Sequence, residues 1–94
     1  MKIRSYANVW DALEDDPVER ASLTARSELM IALEQTIRGW KITQKEAATR
    51  LGITQPRLND LLKGRFSKFS LGALMDIATK AGLTVTVKVK KQAA

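Results

Sequence analysis

Residues 43–64, TQKEAATRLGITQPRLNDLLKG, constrain the fold more than any other stretch of the chain because they predict two short helices joined at a glycine. Thr43 followed by Glu46 is a capping box, in which each side chain bonds a free amide at the start of a helix. Gly52 stands where the chain reverses, a position that commonly requires a positive φ. The spacing predicts the first helix over about residues 44–51.

The second helix of this stretch has start and stop signals of its own. Thr54 is a capping residue, and Pro56 lies in the first turn, where its missing N–H costs nothing. Gly64 ends the pattern, so we predict a helix over residues 55–63.

Similar signals predict a helix on each side of the pair. DPVE at residues 16–19 combines a capping Asp, a Pro at the first helical position and a Glu three residues after the cap. We expect a helix from there to Arg38, ended by Gly39, with a break near residues 22–24 left open. SLGALMDIATKAG at residues 70–82 has start and stop signals of the same kind, and it predicts the last helix.

After this helix the hydrophobic period changes to two. In LTVTVKVK, residues 83–90, apolar side chains alternate with Thr and Lys, which predicts a strand with one buried face. The short KIRSY at residues 2–6 is the other extended candidate in the chain. Pairing with the same strand of a second subunit hides both edges, so we expect a homodimer. The dimer strand would bury Leu83, Val85, Val87 and Val89.

Composition excludes several classes of site. The chain of 94 residues fits one domain, and it contains no cysteine and no histidine. A disulfide framework is therefore impossible, and we expect no metal site and no cofactor. No stretch approaches the ~20 apolar residues that span a bilayer, so we expect a soluble cytoplasmic protein with no membrane contact. The acidic residues are scattered or start helices, and we therefore expect no enzymatic activity.

Charge is distributed unevenly along the chain. Residues 1–20 hold three basic and five acidic residues, a net charge of −2, whereas residues 21–94 hold thirteen basic and five acidic residues, a net charge of +8. The positive charge of residues 21–94 favours binding to polyanions, of which nucleic acid is the commonest in a cytoplasm. We divide the chain into an acidic arm with a short helical turn (1–16), a helical DNA-binding domain (17–82), a dimerisation strand (83–90) and a tail (91–94).

A short helix, a tight turn and a second helix that opens with small polar residues is the arrangement that places a helix in the major groove of DNA. The stretch resembles the helix-turn-helix of the XRE family, which includes phage repressors and Cro proteins. The matching positions are Gln44, Ala48, Gly52, Leu58 and Leu61. The resemblance implies an all-α, lambda-repressor-like bundle of four to five helices, followed here by the C-terminal strand.

By position in this motif, the residues expected to contact bases are Gln55, Arg57 and Asn59, since Gln can bond adenine and Arg can bond guanine bidentately. Residues suited to backbone phosphates surround them: Gln44, Thr54, Lys41, Lys45, Lys63, Arg65 and Lys68. Two alternatives stay open. Gln55 and Asn59 are also typical of a solvated helix, and Arg57 is also spaced to pair with Asp60.

The resemblance extends to SQPR-like residues 54–57 and to GRFSKFSL, residues 64–71, which are similar to HigA-like antitoxins. It implies a repressor that binds a palindromic operator and neutralises a RelE- or HigB-like toxin. The acidic arm supplies candidate toxin contacts, namely Trp10, Asp11, Leu13, Glu14 and Asp15, although such acids also favour the dipole at a helix start. A stand-alone regulator and an interaction module that has lost DNA binding are the alternatives.

Overall fold

A computed structural model describes residues 16–92 of the chain. This part contains helices α1 (Pro17–Trp40), α2 (Gln44–Leu51), α3 (Gln55–Leu62) and α4 (Leu71–Lys80), with a 3₁₀ turn at Phe66–Lys68 before α4. The predicted all-α helix-turn-helix bundle is confirmed. The acidic arm and the candidate toxin contacts Trp10, Asp11, Leu13, Glu14 and Asp15 lie outside the described residues.

The helices begin at the residues that the sequence predicts. The Asp16 carboxylate accepts from the amides of Val18 and Glu19 at 3.1 and 3.2 Å, and the Ser70 hydroxyl accepts from the amide of Ala73 at 3.1 Å. Each bond satisfies an amide that the helix itself leaves free. These starts are determined locally, which is why the sequence identifies them.

The predicted end of α1 was wrong. Gly39 lies inside the helix, which continues to Trp40 and ends at Lys41 in a left-handed conformation with φ 55°. Trp40 is half-buried against the core, and the Arg50 guanidinium lies 3.9 Å from its ring centroid. These tertiary contacts hold the last turn helical in spite of the glycine. The break left open at residues 22–24 is absent too, since α1 is continuous there.

Each helix contributes a fully buried leucine to one core: Leu33 from α1, Leu51 from α2, Leu58 from α3 and Leu74 from α4. Residues packed around them are Met30, Ile37, Ala47, Ala48, Leu61, Phe69, Ile77, Ala78 and Ala81. Burying a side chain of this size contributes about 1.5–3 kcal/mol. Helices α1 and α4 thereby form a scaffold that fixes α2 and α3.

The predicted C-terminal strand is not seen, because residues 83–92 carry neither helix nor strand. Leu83 and Val85 are half-buried against the core, whereas Val87 and Val89 are 72% and 90% exposed. A strand is defined by hydrogen bonds to a neighbour, and no segment of residues 16–92 pairs with this one. Within the same residues, no helix is both long and apolar enough to cross a membrane.

Candidate nucleic-acid interface

Local bonds define the start of α2 and the turn that leads to α3, and the core packs the two helices together. At the start of α2, the Glu46 amide donates to the Thr43 hydroxyl at 3.1 Å, and the Thr43 amide donates to the Glu46 carboxylate at 3.0 Å. Gly52 adopts φ 70° in the turn, and the amide of Ile53 donates to the carbonyl of Ala48 at 3.0 Å. The angle between the two helices is therefore set before any ligand binds.

The capping box also affects acid–base behaviour. The Thr43 backbone amide, and after it the Thr43 hydroxyl, lower the pKa of Glu46 below its ordinary value, because both bonds favour the charged carboxylate. A negative charge in the first turn also suits the helix dipole. Glu46 is thus a structural acid that stays ionised at neutral pH.

The exposed face of α3 carries two of the three predicted base contacts. Gln55 is exposed in the first turn, and Asn59 is half-buried one turn later. Residues four apart share a helix face, so both amide side chains lie on the same side of α3, and exposed Lys63 continues that side at the C-terminal end. Thr54 caps the helix by accepting from the Arg57 amide at 3.2 Å.

Arg57 lies elsewhere. It is half-buried, its guanidinium is 4.3 Å from the ring centroid of Phe69, and one of its nitrogens donates to the Lys68 carbonyl at 3.3 Å. Two residues along a helix turn the side chain about 200°, away from the face of Gln55. Arg57, the third predicted base contact, is therefore held at the 3₁₀ turn. Its bond to the Lys68 carbonyl occupies part of the set of five N–H donors that a guanidinium offers.

The alternative pairing of Arg57 with Asp60 was wrong, because Asp60 binds Arg65 at 3.0 Å. This ion pair is partly exposed and is worth little in stability, about 0–1 kcal/mol. Its effect is to hold Arg65 beside the end of α3. Residues 54–70 hold four basic residues and one acidic residue, a net charge of +3.

The residues predicted to meet phosphates are all exposed: Gln44, Thr54, Lys41, Lys45, Lys63, Arg65 and Lys68. Gln44 occupies the first position of α2, where free amides attract anions, and Lys41 lies just before that helix. Lys63, Arg65 and Lys68 follow α3. Basic groups therefore border the helix pair at the start of α2 and after α3.

Sequence reasoning missed Arg26 and Arg50. Arg26, on α1, donates to the carbonyls of Phe66 and Phe69 at 3.1 and 3.3 Å, 40 and 43 residues away in the chain. Arg50 stacks on Trp40. No local pattern distinguishes these arginines from ordinary surface residues, because their partners are set by the fold.

The described residues contain no group of three His, Cys, Asp or Glu side chains that could hold a metal ion. A groove of 250 Å³ opens between the end of α1 and the helix pair, and Ile37, Ile42 and Leu58 are among its lining residues. No carboxylate lines this groove.

Comparison with known proteins agrees with this geometry. A family model described as a helix-turn-helix domain matches residues 12–90 of the chain. A search of curated proteins finds no match. The matched range includes all four described helices and most of the C-terminal segment.

Proposed function

Because the chain belongs to the family of helix-turn-helix domains, we propose that it is a sequence-specific DNA-binding transcriptional repressor that places α3 in the major groove. One observation carries the proposal: α3 presents exposed Gln55 and half-buried Asn59 on one side, while Leu58 and Leu61 of the same helix are buried in the core. A rigid helix with outward amides is suited to reading base edges. The proposal includes no catalytic activity.

The side chains divide by role. Gln55 and Asn59 contact bases. Arg57, which is turned away from their face and stacked on Phe69, supports the start of α3 instead. The exposed basic residues at the start of α2 and after α3 contact phosphates, which position the protein without reading sequence. Binding then weakens steeply with salt.

Binding-site selection followed by affinity measurement tests the proposal. Gln55→Ala should lose about 1–3 kcal/mol on the selected site and relax the preference at one base pair. Gln35→Ala, the same change at an exposed position of α1, is the matched control and should bind normally. Equal affinity of the wild-type protein for the selected duplex and for random duplex would refute the proposal.

The repressor acts as a homodimer joined through the C-terminal segment. Support comes from its alternation: Leu83 and Val85 pack against the core, while Val87 and Val89, the next apolar residues of the pattern, are exposed. Pairing with the same segment of a second copy would form the predicted strand and cover both valines. Two copies would read a palindromic operator with half-sites about 34 Å apart.

Sedimentation of a point variant tests the dimer. Val87→Lys with Val89→Lys should give monomers and weaken operator binding, because two charges would be buried at the interface. Thr86→Lys adds a charge to the opposite face of the segment and is the matched control. A double variant that still sediments as a dimer would move the interface elsewhere.

A second function is neutralisation of a RelE- or HigB-like toxin, which would make the repressor an antitoxin. It is supported by the resemblance in residues 54–57 and 64–71 and by the net charge of −2 in residues 1–20 against +8 in the remainder. An acidic arm is suited to the basic groove of a protein that grips RNA. A stand-alone regulator without a toxin is the alternative.

Co-expression with the product of a neighbouring gene separates the two. If the antitoxin function holds, the full chain should rescue growth, and removal of residues 1–15 should abolish rescue while operator binding persists. Rescue that survives the deletion would place the contact on the helices, and failure of the full chain to bind any neighbouring product would leave a plain repressor.

A further inference from the structure

The 3₁₀ turn after α3 is held by arginines from two other elements. Arg26 of α1 donates to the carbonyls of Phe66 and Phe69 at 3.1 and 3.3 Å, and Arg57 of α3 donates to the carbonyl of Lys68 at 3.3 Å. Phe69 is buried, so the end of the turn is anchored in the core. The turn therefore lies between α1 and the first turn of α3, with its carbonyls directed at cations.

The turn is a short element. It is three residues long and has no side-chain cap. A 3₁₀ helix has poorer hydrogen-bond geometry than an α-helix, and carbonyls at any helix end need partners outside it. Nη1 of Arg26 donates to both the Phe66 and the Phe69 carbonyl, and its orientation is fixed by the planar guanidinium, whose Nε is bonded within α1. Arg26 is itself half-buried and also bonds the carbonyl of Ser22 at 3.4 Å.

We propose that Arg26 is a positioning residue of the DNA interface: by holding the 3₁₀ turn against α1, it sets where Lys68 meets a phosphate. This inference rests on the proposed DNA-binding function. Lys68 is exposed, and its own carbonyl is bonded to Arg57 at the N-terminal end of α3, the end that approaches the bases. Lys68 therefore reaches the backbone beside the reading face only if the turn is held in place.

The consequence is a coupling between Arg26 and Lys68. Without Arg26, the turn must be ordered when DNA binds, and ordering a mobile side chain lowers affinity about 2- to 10-fold. Once Lys68 is removed, the position of the turn matters much less. Arg26→Ala should therefore lower affinity by that factor in the wild-type background and by less than about 2-fold in the Lys68→Ala background.

Two further variants separate positioning from charge. Arg26→Lys keeps the charge but loses the Nε bond to Ser22 and the planar group that orients Nη1 towards both carbonyls, so it should behave like Arg26→Ala. Arg20→Ala removes the same charge from an exposed site on the same helix and should leave affinity unchanged. Rescue by Arg26→Lys would show that charge alone matters and would overturn the inference.

A readout without DNA keeps the inference separate from the proposed function. The amides of Lys68 and Phe69 donate within the turn at 3.0 and 3.2 Å, and their hydrogen exchange reports its opening. In Arg26→Lys they should exchange faster while the amides of α3 keep their protection. Unchanged exchange, an equal loss of affinity in both backgrounds, or normal binding by Lys68→Ala would each overturn the positioning role. Absence of specific binding by the wild-type protein would instead refute the proposed function.

Discussion

Replacing Gly52 by alanine tests whether the turn between α2 and α3 depends on its backbone conformation. Gly52 adopts φ 70° and ψ 31°. A residue with a Cβ pays about 1–2 kcal/mol in this left-handed region. Part of that cost is offset, because alanine also restricts the unfolded chain, by about 0.4–1 kcal/mol. The added Cβ would lie 3.3 Å from the Lys80 Nζ, the mobile end of a flexible side chain that moves away easily.

At the middle of both ranges, about 1.5 against about 0.7 kcal/mol, the expected net effect is a loss of about 0.8 kcal/mol in the free energy of unfolding. Gly39 provides the matched control. It lies within α1, and a Cβ there meets nothing within 4 Å. Alanine is preferred over glycine in a helix by about 1 kcal/mol, so the same substitution should stabilise the protein at this position.

Urea denaturation followed by far-UV circular dichroism measures both variants. The two should differ by roughly 2 kcal/mol with opposite signs and an unchanged dependence on denaturant. In thermal melts of a chain of this size, each kcal/mol shifts Tm by about 4–8 °C. Wild-type stability in Gly52→Ala, or a loss of stability in Gly39→Ala, would refute the reasoning.

Three further substitutions each change one local feature, and urea denaturation measures the effect on the free energy of unfolding. Ser27→Ala should stabilise the protein by about 1 kcal/mol, since the buried Ser27 hydroxyl has no hydrogen-bond partner among residues 16–92. Lys41→Gly should stabilise it by about 1 kcal/mol by relieving φ 55°, and unchanged stability would contradict this. Glu46→Gln should be less stable than wild type near pH 7. That difference should persist above the ordinary carboxyl pKa and vanish as pH falls through the lowered pKa of folded Glu46, because protonation of wild-type Glu46 removes the same charge.

The sequence by itself determined where the helices start. Thr43, Thr54 and Ser70 each cap a helix through a bond to an amide three residues ahead. Such a bond joins neighbours in the chain, so residue type and spacing are enough to predict it. The same holds for Gly52, because a positive φ is a property of one residue and its side chain.

Tertiary structure alone decided the end of α1 and the surroundings of the arginines. The sequence predicts that α1 ends at Gly39, but Trp40 packs on the core under Arg50 and keeps the helix intact. The sequence predicts Arg57 as a base contact, but in the structure it is stacked on Phe69. No local sequence pattern predicts the long-range contacts of Arg26.

The C-terminal segment shows the same division. Its alternation specifies one apolar face. A strand, however, exists only where a partner segment supplies hydrogen bonds, and the period of the sequence does not identify that partner. Contacts between residues far apart in the chain depend on how the helices pack, whereas caps and turns depend only on their immediate neighbours.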